Sequence, residues 1–420
     1  MLRCETMLHG GECLARPAEG DTILVDGALP HELVEAEVTG RRAGVTRARV
    51  LQVLEPSPDR VEPPCPYVGA CGGCDLQHVA YPRQLELKRE VVRDAMRRQG
   101  VTLPAEIAVH GMKDPWRYRR RGEFHVVRDR EQPGRPIVGL GFNRVRSWHP
   151  VAVDECLIHA AAITTALPAL LEAARRGGDG RLDLLHLTVG EDGDELLVAP
   201  KPPRALDPAA LDAAALAVGE GQARWAVEGT TLGWRGHRYR VTPRSFIQVN
   251  QAQMDVLYQC VLDGFGDITG ARVVDAYAGI GVLSVELAAR VGEGGAVVCV
   301  EEGPAAARLG MLNAQLNGVE DTMRYDPRRV EVALPELAAA APVDALVVDP
   351  PRAGCASSVT GWLALRGPAC IAYVSCDPAT LARDLHILVA SGPYVVERLD
   401  LVDMFPQTHH IECVALLRRQ

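Results

Sequence analysis

"RVVDAYAGIGVLSVELAARV" (272–291) reads as a strand, a glycine turn and a helix. The order then repeats. "GAVVCVEEGPAAARLGMLNAQLNG" (295–318) is again strand then helix, and "VDALVVDPPRAG" (343–354) is a strand that ends in Asp-Pro-Pro. "IAYVSCDPATLARDL" (371–385) follows the same plan, and "YVVERLDLVDMFPQTHHIECVALLRR" (394–419) reads as two strands joined by a loop. Alternation of this kind implies an α/β domain with a mostly parallel, doubly wound sheet. Such sheets bind ligands beyond the carboxyl ends of their strands. Asp275, Glu301, Asp349 and Cys376 all fall at predicted strand carboxyl ends.

Toward the N-terminus the pattern is different. Residues 1–55 hold Val-rich β-runs broken by Gly and Pro, which predicts a small barrel. "PSPDRVEPPCP" (56–66) is a Pro-rich connector. Residues 82–99 alternate charges with Leu85, Leu87, Val91, Val92 and Met96, as a surface helix does. Residues 117–155 read as an antiparallel sheet carrying arginines, and the Ala-rich pieces 160–175 and 205–218 read as helices. The expected domains are 1–55 (barrel), 56–240 (central α+β) and 241–420 (the α/β domain).

The chain has 420 residues, 47% of them hydrophobic, enough for two or three cored domains. No run of 18 apolar residues and no signal-peptide pattern is present, so the expectation is a cytoplasmic protein without membrane association. A monomer is the default. The net charge of −9 argues against a strongly basic nucleic-acid binder. The charge is uneven, however. Residues 1–250 hold 33 basic and 33 acidic residues, 251–420 hold 12 and 21, and 113–146 alone hold 10 and 4. A polyanion responds to such a local patch rather than to the total.

Glycines 279 and 281 let the backbone approach a ligand closely. Glu301, 26 residues after Asp275, is placed to accept hydrogen bonds from both hydroxyls of a ribose. The third glycine of a dinucleotide motif is missing, so a nucleoside without a pyrophosphate fits better than a nicotinamide cofactor. Cys376 precedes a helix starting near Pro378, and a helix N-terminus lowers a thiol's pKa. The plain alternative is a buried structural cysteine. Asp349 either holds a reacting group in the same crevice or is a turn residue before its prolines. Glu412 is a lone acid on an apolar strand, where a raised pKa would suit a general base; otherwise it is an edge residue facing water.

Twelve cysteines are many for a reducing compartment, and seven or eight of them are expected to be ordinary buried thiols. "CPYVGACGGC" gives Cys65, Cys71 and Cys74 in a C-x5-C-x2-C loop able to wrap a metal. Cys156 is the best fourth ligand, with His78 and His159 as nearby alternatives. Zinc and an iron–sulfur cluster are both compatible with the spacing.

Taken together, these stretches resemble the RNA uracil-C5 methyltransferases, in particular the iron–sulfur-containing 23S ribosomal RNA type. "HGGECLARP" through "VDGALPHELVEAEV" resembles their N-terminal TRAM domain, an RNA-binding barrel. "CPYVGACGGCDLQHVAYPRQLELK" resembles their cluster loop, and "SFIQVN", "DAYAGIG", "DPPRAG", "YVSCDPATLARDL" and "FPQTHHIECVALL" follow in family order. The resemblance implies a C-terminal class I, Rossmann-like methyltransferase domain. It implies Cys376 as nucleophile and Glu412 as the base removing the C5 proton. Gln248, Tyr277, Glu301, Asp326 and Asp349 would line the S-adenosylmethionine site. Cys65, Cys71, Cys74 and Cys156 would hold a 4Fe–4S cluster, and the helix at 82–105 would pack on the catalytic domain. The expected substrate is 23S ribosomal RNA, with transfer RNA as the alternative. Outside this family, an exocyclic-nitrogen methyltransferase would carry Asp/Asn-Pro-Pro-Tyr/Phe, where this chain has Arg352 after its prolines. A non-catalytic iron–sulfur RNA-binding protein would need neither Cys376 nor Glu412.

Overall fold

The computed structural model describes residues 1–17, 20–132, 134–191, 195–217, 224–226, 228–390 and 392–420. The last residue of the Ala-rich piece 205–218 lies outside them.

The N-terminal strands β1 (Leu2–Met7), β2 (Cys13–Ala15), β3 (Ile23–Asp26), β4 (Leu33–Arg42) and β5 (Val45–Glu55) close a barrel in the order β1-β2-β3-β5-β4, with β4 pairing back onto β1. Its interior holds Cys4, Cys13, Ala15, Val25, Val34 and Ala48. Glu32 is buried and bound by the Arg60 guanidinium at 2.6 and 2.7 Å, which ties the barrel to the connector.

Helix α1 (Tyr81–Arg98) comes next and stops short of 105. Gly100 is left-handed at φ +68°, and the Val101 N–H closes back on Met96 O at 3.0 Å, which ends the helix. The chain then extends into β6 (Ala108–His110). The central sheet is built from β7 (Arg121–Arg128), β8 (Ile137–Asn143), β9 (Pro150–Ala152), β10 (Leu184–Val189), β11 (Glu195–Lys201) and β12 (Arg224–Ala226), in the order β12-β11-β10-β7-β8-β9. Helix α2 (Ala161–Gly177) buries Ile163, Leu167 and Leu170 against it, and α3 (Pro208–Ala217) packs beside α2. The hairpin β13 (Thr230–Trp234) and β14 (His237–Val241) leads to α4 (Gln251–Phe265).

The C-terminal region alternates as expected: β15 (Arg272–Ala276), α5 (Val282–Val291), β16 (Ala296–Val300), α6 (Pro304–Leu316), β17 (Met323–Asp326), α7 (Val330–Ala340), β18 (Ala345–Val348), α8 (Ser357–Arg366), β19 (Cys370–Ser375), α9 (Pro378–Ala390), β20 (Tyr394–Val402) and β21 (Glu412–Arg419). The sheet order is β17-β16-β15-β18-β19-β21-β20-β6, and β21 alone runs against its neighbours. β18 and β19 are buried along their whole length because helices cover both faces. Residues 81–110, counted with the central region in the sequence, sit on this sheet. β6 is its edge strand, and α1 lays Leu87, Val91, Val92 and Met96 into the core shared with Leu381, Leu385 and Leu388 of α9. No helix among the described residues is long and apolar enough to cross a membrane.

Candidate active site

The turn after β15 is strained in the way its glycines imply. Tyr277, Gly279 and Gly281 all have positive φ, at +67°, +55° and +79°. At Gly281 a Cβ would come within 2.5 Å of the Tyr325 hydroxyl, so a side chain is excluded for space as well as for φ. Glu301, just past β16, spans this turn. Its Oε2 accepts the Gly279 N–H at 3.0 Å and its Oε1 accepts the Gly303 N–H at 2.7 Å. Each oxygen keeps a second lone pair for a ligand.

These residues open onto a crevice of about 640 Å³ at the carboxyl end of the sheet. Gln248, Tyr277, Glu301, Asp349, Cys376 and Glu412 all line it. Asp326 does not: it ends β17 one strand further out, and Arg328 binds it through both oxygens at 2.8 and 2.7 Å. Asp275 also lines the crevice and accepts the Ser284 hydroxyl. Burial pushes Asp275 up to about 7 and Asp349 up to about 6. A wall of carboxylates short of solvent favours a cationic ligand, which would restore their charge.

Cys376 and Glu412 meet through strand register. β19 and β21 are antiparallel with Ser375 opposite Cys413, so the next pair outward is Cys376 and Glu412. Side chains of opposed residues share a face. β21 lies between β19 and β20, and Glu412 is only 4% exposed, so it is not an edge residue facing water. Burial holds its carboxyl well above the usual range, and Asp349 adds to this while Arg352 opposes it.

The expectation of a lowered thiol pKa is not met. α9 does begin at Pro378, and Asp377 caps it by accepting the Ala379 and Thr380 amides at 2.9 and 3.1 Å. Burial nevertheless pushes Cys376 up to about 11, and Glu412, Asp349 and Asp377 push the same way against Arg352. Desolvation is the largest cause, and the three carboxyls add to it.

The other residues that border the crevice include Arg119, Phe246, Arg352, Phe405 and His410. Phe246 is 71% exposed at the rim. Arg119 lies over the Phe405 ring at 5.9 Å, and Arg352 Nη2 is 3.2 Å from His410 Nδ1. Adjacency was an available signal for three of them: Phe246 and His410 lie two residues from Gln248 and Glu412, and Arg352 lies three residues after Asp349. Arg119 belongs to the arginine run, and Phe405 carries no such signal.

The cysteines divide in two. Cys4, Cys13, Cys260, Cys299, Cys355, Cys370 and Cys413 are buried, whereas Cys65, Cys71, Cys74, Cys156 and Cys376 are half-buried. Cys65, Cys71, Cys74 and Cys156 line one cavity of about 310 Å³, although Cys156 is 82 residues beyond Cys74. His159 joins them, with Nδ1 at 3.0 Å from Cys156 Sγ, while His78 is buried elsewhere. One backbone amide already points at a sulfur: the Gly73 N–H donates to Cys71 Sγ at 3.4 Å. The four sulfurs are not gathered to single-ion spacing. Among the described residues, His110, Cys260 and Asp400 are the one group of three or more such donors lying within 4.8 Å of one another.

The basic run at 113–146 is not the open patch its charge count suggested. Arg117, Arg120, Arg121 and Arg128 donate to the backbone carbonyls of Cys156, Gly190, Ser245 and Asp179. A guanidinium carries five donors and readily satisfies loop carbonyls, so a charge count overstates what solvent meets. A wider groove of about 1200 Å³ lies between the barrel and the tip of the β8–β9 hairpin, lined by Arg41, Arg42, Arg47, Arg49, Arg60, Arg144 and Arg146 together with Asp26, Glu62 and Asp75. Arg41, Arg47, Arg49, Arg60 and Arg146 are ion-paired with Asp21, Glu12, Glu37, Glu32 and Glu12.

Comparison with known proteins matches residues 328–420 to the family described as tRNA (Uracil-5-)-methyltransferase. Over the whole chain, a 23S rRNA (uracil(1939)-C(5))-methyltransferase, RlmD, of Shewanella amazonensis is 36% identical, covering 99% of this chain and 94% of the relative. The enzyme of the same description from Alkalilimnicola ehrlichii is 33% identical over 98% and 95%. Among solved structures, a tRNA (uracil-54, C5)-methyltransferase of Pyrococcus abyssi superposes with a TM-score of 0.75, covering 99% of this chain and 100% of that one at 23% identity, which establishes the shared fold. With near-complete coverage at this identity, the chain belongs to the RNA uracil-C5 methyltransferase family.

Proposed function

We propose that this protein methylates C5 of a uridine in 23S ribosomal RNA from S-adenosylmethionine, with Cys376 as nucleophile and Glu412 as base. The observation that carries the site assignment is the β19–β21 register, which sets a thiol and a buried carboxyl side by side in a crevice walled by acids. S-adenosylmethionine supplies an electrophilic methyl group from its sulfonium. The carboxylates of Glu301 and Asp349 suit the ribose and the cationic end of that molecule, and Tyr277 and Gln248 flank them.

The Cys376 thiolate bonds to C6 of the uracil, and the C5–C6 electron pair shifts so that C5 becomes nucleophilic. C5 takes the methyl and still carries its proton. Glu412 removes that proton, the C5–C6 double bond re-forms, and the Cys376–C6 bond breaks to return the thiolate. The products are 5-methyluridine and S-adenosylhomocysteine, with the proton left on Glu412. A base buried in a helix stack cannot reach this crevice, so the target is an unpaired or extruded uridine. The arginine groove beside the barrel is the surface for the RNA backbone, which makes binding salt-sensitive.

Ribosomal RNA is favoured because relatives described as 23S rRNA uracil-C5 methyltransferases align over nearly the whole chain at up to 36% identity. The test is nucleoside mass spectrometry after incubating unmethylated ribosomal and transfer RNA separately with methyl-labelled S-adenosylmethionine. Label in 5-methyluridine from ribosomal RNA is the expected result. Label only in the transfer RNA pool moves the substrate, and label in another nucleoside overturns the reaction.

The four-cysteine pocket is read as the seat of a 4Fe–4S cluster. Four thiols, a cavity of about 310 Å³ and the Gly73 amide aimed at Cys71 support this. A tetrahedral zinc site would draw its sulfurs to about 3.8 Å apart, given Zn–S bonds of about 2.3 Å. Cys65, Cys71, Cys74 and Cys156 would hold the cluster, which would join the 65–74 loop to the segment around Cys156. Anaerobically isolated protein is expected to contain about four iron and four sulfide per chain, and Cys71→Ser to lose most of both while still binding S-adenosylmethionine. Zinc in place of iron, or iron unaffected by Cys71→Ser, would refute the assignment.

A further inference from the structure

The loop 403–411 joins β20 to β21, contributes Phe405 and His410 to the crevice, and ends at Glu412. Much of what holds it comes from more than 280 residues earlier in the chain. Lys88 of α1 donates to Asp403 Oδ1 at 2.6 Å and to the Phe405 carbonyl at 3.1 Å. The Tyr81 hydroxyl donates to Asp403 Oδ2 at 2.8 Å and accepts the Met112 N–H at 2.8 Å. Gln84 accepts the Gln407 N–H at 3.0 Å and donates to Gln407 Oε1 at 2.9 Å. The Asp75 and Leu76 amides donate to the Gln407 carbonyl at 3.2 and 3.0 Å, and Tyr118 donates to the Pro406 carbonyl at 2.9 Å. Gln407 is held at φ +68°, a strained conformation that persists because its surroundings over-determine it.

Lys88 and Asp403 are fully buried, 0% exposed on both side chains. Lys88 is one of only three lysines in a chain with 42 arginines. A buried ion pair is a poor stabiliser, since an apolar pair of similar volume packs as well without the desolvation penalty. What this pair adds is direction. Each Asp403 oxygen is bound by a different α1 residue. Asp403 directly follows Val402, the register partner of Glu412 on β21. The orientation of α1 therefore sets where β20 ends, how the loop leaves it, and where the Glu412 carboxyl stands.

We propose that Lys88 is a positioning residue for proton removal: through Asp403 it holds the β20–β21 loop so that Glu412 stands over C5 of the base bound to Cys376. This rests on the reading of Glu412 as the base. If Glu412 is displaced, C6 addition and methyl transfer still proceed, but the C5 proton stays. The enzyme then stalls as a covalent Cys376–RNA adduct carrying the methyl.

The test is the paired substitution Lys88→Met with Asp403→Leu, which leaves no orphan charge. Turnover is expected to fall about 100-fold, as for a displacement on the order of 1 Å. S-adenosylmethionine affinity and melting temperature are expected to stay near wild type. Two readouts separate positioning from general loosening. The variant accumulates a denaturation-resistant protein–RNA adduct, and RNA carrying 5-deuterouridine turns over more slowly than protiated RNA, by more than in the wild type. Wild-type turnover, or a fall in turnover with neither adduct nor an increased isotope effect, overturns the proposal. Should the double variant not fold, Tyr81→Phe removes one of the bonds to Asp403 and is expected to show the same two signatures more weakly; wild-type behaviour there overturns it equally. If wild type makes 5-methyluridine but Glu412→Gln forms no adduct, the reading of Glu412 itself falls. An active wild type with an indifferent Lys88 variant removes only the positioning role.

Discussion

Cys376→Ala is expected to lower turnover by about four orders of magnitude or more, equivalent to about 5 kcal/mol of transition-state stabilisation. No other thiol can replace it. Cys413, its strand neighbour, is fully buried with its pKa raised beyond use by burial, and the four pocket cysteines line a different cavity. The thiol is one wall of the crevice among many, so removing it leaves the acids and the Gly279–Gly281 turn intact and S-adenosylmethionine affinity unchanged. Single-turnover methylation followed by nucleoside analysis, with calorimetric titration of the cofactor, reads both effects. Residual methylation within tenfold of wild type would place the nucleophile elsewhere. Burial and the neighbouring carboxyls push the thiol up to about 11, so forming the thiolate is a cost the site must offset. A cation next to Glu412 and Asp349 offsets the carboxylate field that keeps the proton on sulfur.

Glu412→Gln should separate the two halves of the reaction. Glutamine fills the same space on β21, but its amide is no base. Methyl transfer proceeds once per molecule, proton removal stops, and turnover falls by about three orders of magnitude, within the usual range for loss of a general base. The mark of this variant is an adduct in near one-to-one yield, visible as a shifted band on a denaturing gel and carrying label from S-adenosylmethionine. Reduced methylation without adduct would assign the proton to another acceptor, and His410, in the same crevice, would be the next residue to change.

Much of this site is legible along the chain because of how parallel sheets are built. Each strand is a short apolar run, and the residue that ends it points to the binding edge, so Glu301, Asp349 and Cys376 announce themselves by position. Short spacing also exposes three cysteines of the pocket, and a distinctive set of motifs points to the family. Asp326 shows the limit of that logic: it too ends a strand, but Arg328 ties it up away from the crevice. The arginines at 117–128 show another limit, because a sequence reveals a charge but not the carbonyls that absorb it.

Local pattern along the chain carries the alternating domain, the N-terminal β-runs, the strand-end acids and the cysteine loop. Each of these is announced by a pattern of neighbouring residues, even where the strands themselves pair at longer range. The tertiary structure decided the rest. It set Glu412 beside Cys376 through a register between β19 and β21, brought Cys156 to the other three cysteines, and made β6 the edge of a sheet nearly 300 residues away. It also placed Lys88 under Asp403 and raised the thiol pKa that the helix terminus had been expected to lower. The physical reason is common to all of these. Hydrogen-bond register, desolvation and the Coulomb field depend on which groups meet across the fold, and those meetings come from the packing of whole elements rather than from any window of sequence.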